Sequence, residues 1–190
     1  MVAKLYLDGC SMIYGQGLPR EDSLGNLFHE IGGYDVVDKS RNGKSNISIA
    51  LDTYRHADDF DVFVLGFTYS SRFGLEYGSD NLDFYSGFSG NIRFADSELE
   101  DEFLKLYKFF YLVFESPYCD NLSDMLVDYT IAFLKSKGKK VYALSWENRN
   151  TQADYDHPFF CAEDRLDDYH LNANATKKLF DRIQDKLGAE

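Results

Sequence analysis

The sequence predicts an α/β protein: a three-layer α/β/α sandwich built on a mainly parallel central sheet. Three observations predict it. Short apolar runs of strand length alternate with amphipathic stretches of helix length, the order that right-handed crossovers produce. One run, Asp61-Val62-Phe63-Val64-Leu65-Gly66, is nearly continuous in apolar residues, as a central parallel strand covered on both faces must be. At 190 residues, the chain is long enough for a sizeable core and short enough for one domain spanning 1–190.

The elements follow in order. Lys4-Leu5-Tyr6-Leu7 reads as the first strand, ending in Asp8-Gly9 and a loop that carries Cys10, Ser11, Gly15 and Gly17. A helix is predicted from Asp22 to Gly32, with Asp22 or Ser23 as N-cap and Leu24, Leu27, Phe28 and Ile31 at helical spacing. Tyr34 to Asp38 is the second strand, followed by a polar loop, Lys39 to Asn46, that holds Gly43. Ser45 or Asn46 caps the next helix, which runs to about His56. The third strand then leads into an aromatic-rich insertion at about 67–97, where no regular period holds. Connections of that length are often lids or binding loops; the plainer alternatives are an aromatic-anchored surface excursion or a small hairpin on the core. Ser97 to Phe114 and Asn121 to Lys137 read as helices, with Pro117 as the break between them and Gly138 as the second stop. Lys140 to Trp146 is the fourth strand, and a helix from about Asn172 to Leu187 closes the chain.

Composition narrows the function classes. A net charge of −12, with basic residues scattered along the chain, argues against a nucleic-acid partner. No stretch approaches the roughly 18 consecutive apolar residues of a membrane span. The N-terminus lacks a basic region followed by an apolar run, so no signal peptide is read and a cytoplasmic location is expected. Three cysteines, Cys10, Cys119 and Cys161, leave one unpaired under any disulfide scheme and lack metal-ligand spacing, which fits a reducing compartment. No metal or cofactor is implied, and oligomeric state is left open.

In a parallel sheet the loops after the strands converge on the carboxyl edge, where α/β folds build their sites. The first such loop offers Ser11, the second Gly43, the third Gly66-Phe67-Thr68-Tyr69, and the segment before the last helix Asp167-Asp168-Tyr169-His170. A serine, a histidine to take its proton and a carboxylate to orient the histidine are the parts of a hydrolytic triad. Spacing favours Asp167 as that carboxylate, with adjacent Asp168 as its rival. His29 and His56 fall on helices and read as structural; His157 reads as a turn residue.

Taken together, these segments resemble the four blocks of the SGNH hydrolases, the GDSL esterase and lipase family. Gly9-Cys10-Ser11-Met12 is similar to the first block, Gly43 to the lone glycine of the second, Gly66-Phe67-Thr68-Tyr69 to the third, and Asp167-Asp168-Tyr169-His170-Leu171-Asn172 to the last. The resemblance covers residues 5 to about 180 and implies a flavodoxin-like SGNH hydrolase fold. It implies a serine esterase or deacylase with Ser11 as nucleophile, His170 as base and Asp167 as its partner. The implied oxyanion hole consists of Ser11, Gly43 and Thr68. Two positions depart from the family: Cys10 stands where it has Asp, and Thr68 where it has the oxyanion-binding Asn. The implied substrate is an ester of a small molecule or carbohydrate, with Tyr69, Arg72 and Phe73 as candidate substrate contacts. The alternative is a non-catalytic binding or structural protein that keeps the fold.

Overall fold

The computed structural model describes residues 2–70, 72–77, 80–84, 117–146, 162–167 and 170–189. At its centre lies β1 (Lys4–Gly9), parallel to β2 (Asp35–Asp38) on one side and to β3 (Val62–Phe67) on the other. A separate antiparallel hairpin, β4 (Phe73–Tyr77) with β5 (Asp80–Phe84), follows β3. The last strand, β6 (Lys140–Ser145), returns to the main sheet beside β3, giving the all-parallel order β2-β1-β3-β6 among the described residues.

The continuous apolar runs resolve into two faces once the pleat is applied. Leu5, Leu7, Val62, Val64, Tyr142 and Leu144 belong to one core cluster; Tyr6, Phe63, Leu65, Phe67, Val141 and Ala143 belong to the other. The first face is covered by α2 (Leu24–Glu30) and by the C-terminal helix, through Leu24, Phe28, Leu179, Phe180 and Ile183. The opposite face is covered by α3 (Asn46–His56) and α4 (Pro117–Ser136), through Ile49, Val127, Ile131 and Leu134. Two helical layers around one parallel sheet are the predicted α/β/α sandwich.

The helix boundaries sharpen the sequence reading. Ser23 is the N-cap of α2 and Ser45 that of α3, each side-chain oxygen accepting from the backbone N–H three residues on. α4 starts at Pro117, which the sequence reading took only as a break; a proline is well placed at a first helical position, where its missing N–H has no helical acceptor anyway. The final helix, α5 (Ala173–Ala189), has its C-terminal end beside the start of β6, where Lys140 Nζ donates to Leu187 O at 2.9 Å. Its N-terminus therefore lies at the carboxyl edge of the sheet.

Within the predicted 67–97 insertion, the described parts are residues 67–70 and 72 and the β4–β5 hairpin, with β4 lying against α3. That agrees with the hairpin alternative for this part. The remainder of the insertion, the predicted helix from Ser97 to Phe114, Asp168, His157 and Cys161 lie outside the described residues.

The segment after β1 departs most from expectation. Ser11–Tyr14 forms a one-turn helix, α1, where a loop was read. Ile13 of that turn is fully buried, and it holds α1 down on the sheet. The seat for Ile13 is made by two glycines paired across β1 and β3, Gly9 and Gly66. A Cβ on Gly9 would stand 2.9 Å from Gly66 O, and a Cβ on Gly66 would overlap Ile13 Cγ1. Gly66→Ala should therefore cost about 1–3 kcal/mol, the usual range for overpacking. In an Ile13→Ala background, the added methyl has room and should cost much less. Urea denaturation of the four proteins tests this, and an equal cost in both backgrounds would rule out Ile13 as the obstacle.

Candidate active site

β1 delivers Ser11 to the carboxyl edge at the first position of α1, with Cys10 as N-cap. Cys10 is buried, its carbonyl accepting from Ile13 and Tyr14 N–H at 3.0 Å each; its thiol is free. Ser11 is itself largely buried. As the first helical residue, its N–H has no acceptor within the helix, which leaves it available to an incoming anion.

The next two loops are fastened to this one by buried polar contacts. Gly43 turns the chain after β2 with φ 75°, a backbone conformation that suits glycine. Arg41 N–H donates to Gly9 O at 3.1 Å, extending the β1–β2 contact into the loops. Immediately after Gly43, Lys44 runs into the core, where its ammonium is fully buried. Its Nζ lies 2.7 and 2.8 Å from the two Asp8 oxygens, 2.7 Å from Asp52 Oδ2 and 3.1 Å from Lys39 O. Asp8 also accepts from Gly9 N–H at 2.7 Å and from Tyr6 OH at 3.0 Å. Arg55 steadies Asp52 from the surface at 3.1 Å. A buried charge is tolerated only when it is paired and hydrogen-bonded, and this cluster meets both conditions.

Burial dominates the Asp8 carboxyl, pushing its pKa from 3.8 up to about 7 against the opposing pull of Lys44. Burial, then the charge of Asp8, pushes the Tyr6 phenol up. Asp52 is less buried; burial works upward on it too, but the Lys44 contact and Arg55 hold it below its ordinary value.

The third loop begins at Thr68, which is 1% exposed. Its hydroxyl is buried with no hydrogen-bond partner among the described residues. Its backbone is held on both sides by Asn46: Thr68 N–H donates to Asn46 Oδ1 at 2.7 Å, and Asn46 Nδ2 donates to Thr68 O at 3.0 Å. Tyr69 is partly exposed, and the Arg72 guanidinium lies 5.7 Å from the centre of its ring. Arg72 N–H also donates to Tyr69 O at 3.1 Å. Phe73 begins β4.

The last loop folds back on itself just before α5. Leu166 N–H donates to His170 O at 2.7 Å and Asn172 N–H to Asp164 O at 2.9 Å, with Arg165 bridging to Leu171. His170 is half-buried; Asp167 is exposed, and no hydrogen bond joins the two among the described residues. One contact and a shared core cluster relate this turn to the Ser11 loop. A Cβ on Gly17 would stand 2.9 Å from Leu166 Cδ1, and Leu171 shares a core cluster with Cys10 and Ile13, the residues flanking Ser11.

Ser11, Gly43 and Thr68 therefore stand on loops joined by described hydrogen bonds, and the His170 turn packs against the first of them. Sequence reasoning missed the Asp8–Lys44–Asp52 cluster and the clamp made by Asn46, which it treated only as a candidate cap. One signal for the cluster was in the sequence: Asp8 continues the alternation of Tyr6 and falls on a core-facing position of an otherwise apolar strand.

The fold and these loops define a three-layer α/β protein with a serine and a histidine on neighbouring carboxyl-edge loops. No protein-family model matches the chain, and no curated protein sequence matches it either. Among solved structures it is similar to TesA, at 14% identity over 97% of both chains with a TM-score of 0.47. It is also similar to a putative lipolytic protein of the G-D-S-L family from Desulfitobacterium hafniense, at 11% identity over 96% of this chain and 98% of that one, TM-score 0.44. A third is a family 3 carbohydrate esterase from Clostridium thermocellum, at 14% identity over 100% of this chain and 98% of that one, TM-score 0.44.

The Asp8 cluster makes stability depend on pH. Between 3.8 and about 7 the folded protein holds a proton on Asp8 that the unfolded chain has lost. The stabilisation from this group is full below 3.8 and is lost as pH rises through about 7, with a slope of at most ~1.4 kcal/mol per pH unit. In urea denaturation at pH 5 and pH 8, the wild type should gain stability at pH 5 relative to Asp8→Asn. A pH-independent difference between the two proteins would contradict the shift.

Proposed function

We propose that the protein is a serine esterase or deacylase of the SGNH type, acting on an ester of a small molecule or carbohydrate. The observation that carries this reading is the junction of the Ser11 and His170 loops, through Gly17 against Leu166, with Leu171 in the same core cluster as Cys10 and Ile13. Supporting it are the first-turn N–H of Ser11, which has no helical acceptor, and the buried Thr68 hydroxyl, which has no hydrogen-bond partner among the described residues. A hydroxyl left in that condition costs about 1–3 kcal/mol. An arriving oxyanion would recover part of that cost.

In the proposed reaction His170 takes the proton of Ser11 Oγ as that oxygen attacks the ester carbonyl carbon. Charge gathers on the carbonyl oxygen, which accepts from Ser11 N–H, Gly43 N–H and the Thr68 hydroxyl. The alcohol leaves with the proton from His170, and the acyl group remains on Ser11. Water then attacks with His170 as base again, and the carboxylic acid is released. Asp167, exposed and not hydrogen-bonded to His170 in the structure, would turn toward the imidazole to hold the tautomer that presents a free nitrogen to Ser11. Tyr69, Arg72 and Phe73 follow Thr68 directly, and they line the substrate side in this reading.

Turnover of a short p-nitrophenyl ester provides the test. Ser11→Ala should abolish turnover, and a fluorophosphonate probe should label Ser11 in the wild type. Asp167→Asn should lower turnover by about 10⁴-fold, the scale set by loss of the correct tautomer, whereas Asp168→Asn should be mild. The reverse ranking would assign the carboxylate to Asp168. Thr68→Val should lower kcat by about 10²- to 10³-fold with little change in KM, because the charge it serves exists only in the transition state. Ser11→Ala with full activity would reject the esterase reading in favour of a binding protein.

A further inference from the structure

Asn46 is the first residue of α3, and the capping of that helix is already done by Ser45. The residue is nevertheless buried, at 3% exposure, and its carboxamide makes three hydrogen bonds. Two of them match the amide to the Thr68 peptide as one strand matches another: Oδ1 accepts the Thr68 N–H at 2.7 Å and Nδ2 donates to the Thr68 carbonyl at 3.0 Å. The second Nδ2 hydrogen serves Ser123 Oγ of α4 at 2.7 Å. Only an amide of this length offers one acceptor and two donors in a plane. Aspartate lacks the donors, and an apolar residue would strand three buried groups.

The same loop is pinned a second time to α4, where Ser70 Oγ donates to Asp120 Oδ1 at 2.5 Å. Thr68 lies between these anchors with its peptide plane fixed on both edges. Its hydroxyl, in contrast, is buried and unbonded among the described residues. A rigid backbone carrying an unengaged donor is the arrangement that electrostatic catalysis needs, because reorientation during the reaction would cancel the gain.

We infer that Asn46 is a positioning residue for the Thr68 donor, acting on catalysis through the Thr68 peptide without touching substrate. This inference rests on the serine esterase reading above. Asn46 stands three residues after Gly43, so one short segment would supply a backbone oxyanion donor and hold the side-chain donor in register.

The test is a double-mutant cycle on p-nitrophenyl acetate hydrolysis, with Asn46→Ala, Thr68→Val and their combination. Asn46→Ala should lower kcat ~10- to 100-fold while KM stays within about 3-fold, the mark of a transition-state interaction. In the Thr68→Val background, the same change should cost less than about 3-fold further, since residues that act as a unit are not additive. A merely structural asparagine would give equal costs in both backgrounds; equal costs, or an unchanged kcat, overturn the assignment. Should Asn46→Ala fail to show a cooperative urea transition, Ser123→Ala removes one arm of the clamp. Its kcat should fall by roughly 3- to 10-fold, again only with Thr68 present, and an unchanged kcat overturns the inference. Ser11→Ala run alongside separates the two levels: turnover that survives it rejects the esterase reading and the Asn46 role together, whereas Ser11-dependent turnover with additive costs rejects the Asn46 role alone.

Discussion

A lysine ammonium with no solvent contact is the constraint on which the rest of the carboxyl edge depends. Lys44 reaches the core from the loop after β2, and its charge is stable there because Asp52 of α3 pairs with it and Asp8 of β1 accepts its hydrogen bonds. Removing one partner of such a cluster leaves an uncompensated buried charge, at a cost of about 3–5 kcal/mol. The three elements are thus held to a single relative placement. Apolar packing alone is more forgiving, because its contacts have no direction and many side-chain arrangements fill the same volume. Asp8 and Lys44 adjoin Gly9 and Gly43 in the chain, and Asp8 also accepts the Gly9 N–H, so the cluster anchors the backbone next to both glycines.

The second constraint is steric. Near their carboxyl ends β1 and β3 carry paired glycines, Gly9 and Gly66, and the space where two side chains would stand is occupied by Ile13. The first turn of α1 is thereby drawn down onto the strand ends, and Ser11 arrives nearly buried where a loop serine would be solvated. Asn46 works in the same sense on the third loop by replacing the neighbouring strand that the Thr68 peptide lacks once β3 has ended. Ion pair, glycine seat and amide clamp fix the first, second and third loops. The turn with His170 is joined by apolar contact instead, through Leu166 and Leu171.

The elements most legible in the sequence were those set by period and punctuation. The apolar run Asp61 to Gly66 announced a central strand, and the pairs Asp22-Ser23 and Ser45-Asn46 announced helix starts because a cap acts within three residues of itself, with Ser23 and Ser45 the members that cap. The order of strands and helices then implied the parallel sheet, since a crossover must pass over a face of it. Less legible was the one-turn helix at Ser11, which is too short to show a period and exists because Ile13 has a seat to fill. The start of α4 at Pro117 was hidden for a related reason: a proline that stops one helix is equally suited to begin another.

What the sequence by itself determined is local: strand and helix placement, the caps, and the chain order of Ser11, Gly43, Thr68 and His170. Each depends on residues within about one helical turn of one another, so the pattern survives in one dimension. The tertiary structure alone decided that Lys44 is buried against Asp8, thirty-six positions earlier in the chain, and that Asn46 holds Thr68, twenty-two positions later. An aspartate, a lysine and an asparagine are ordinary surface residues in composition and spacing. Their roles follow from low-dielectric surroundings that exist only after the sheet and its two helical layers have assembled, where an unpaired charge or amide is too costly to leave unmet.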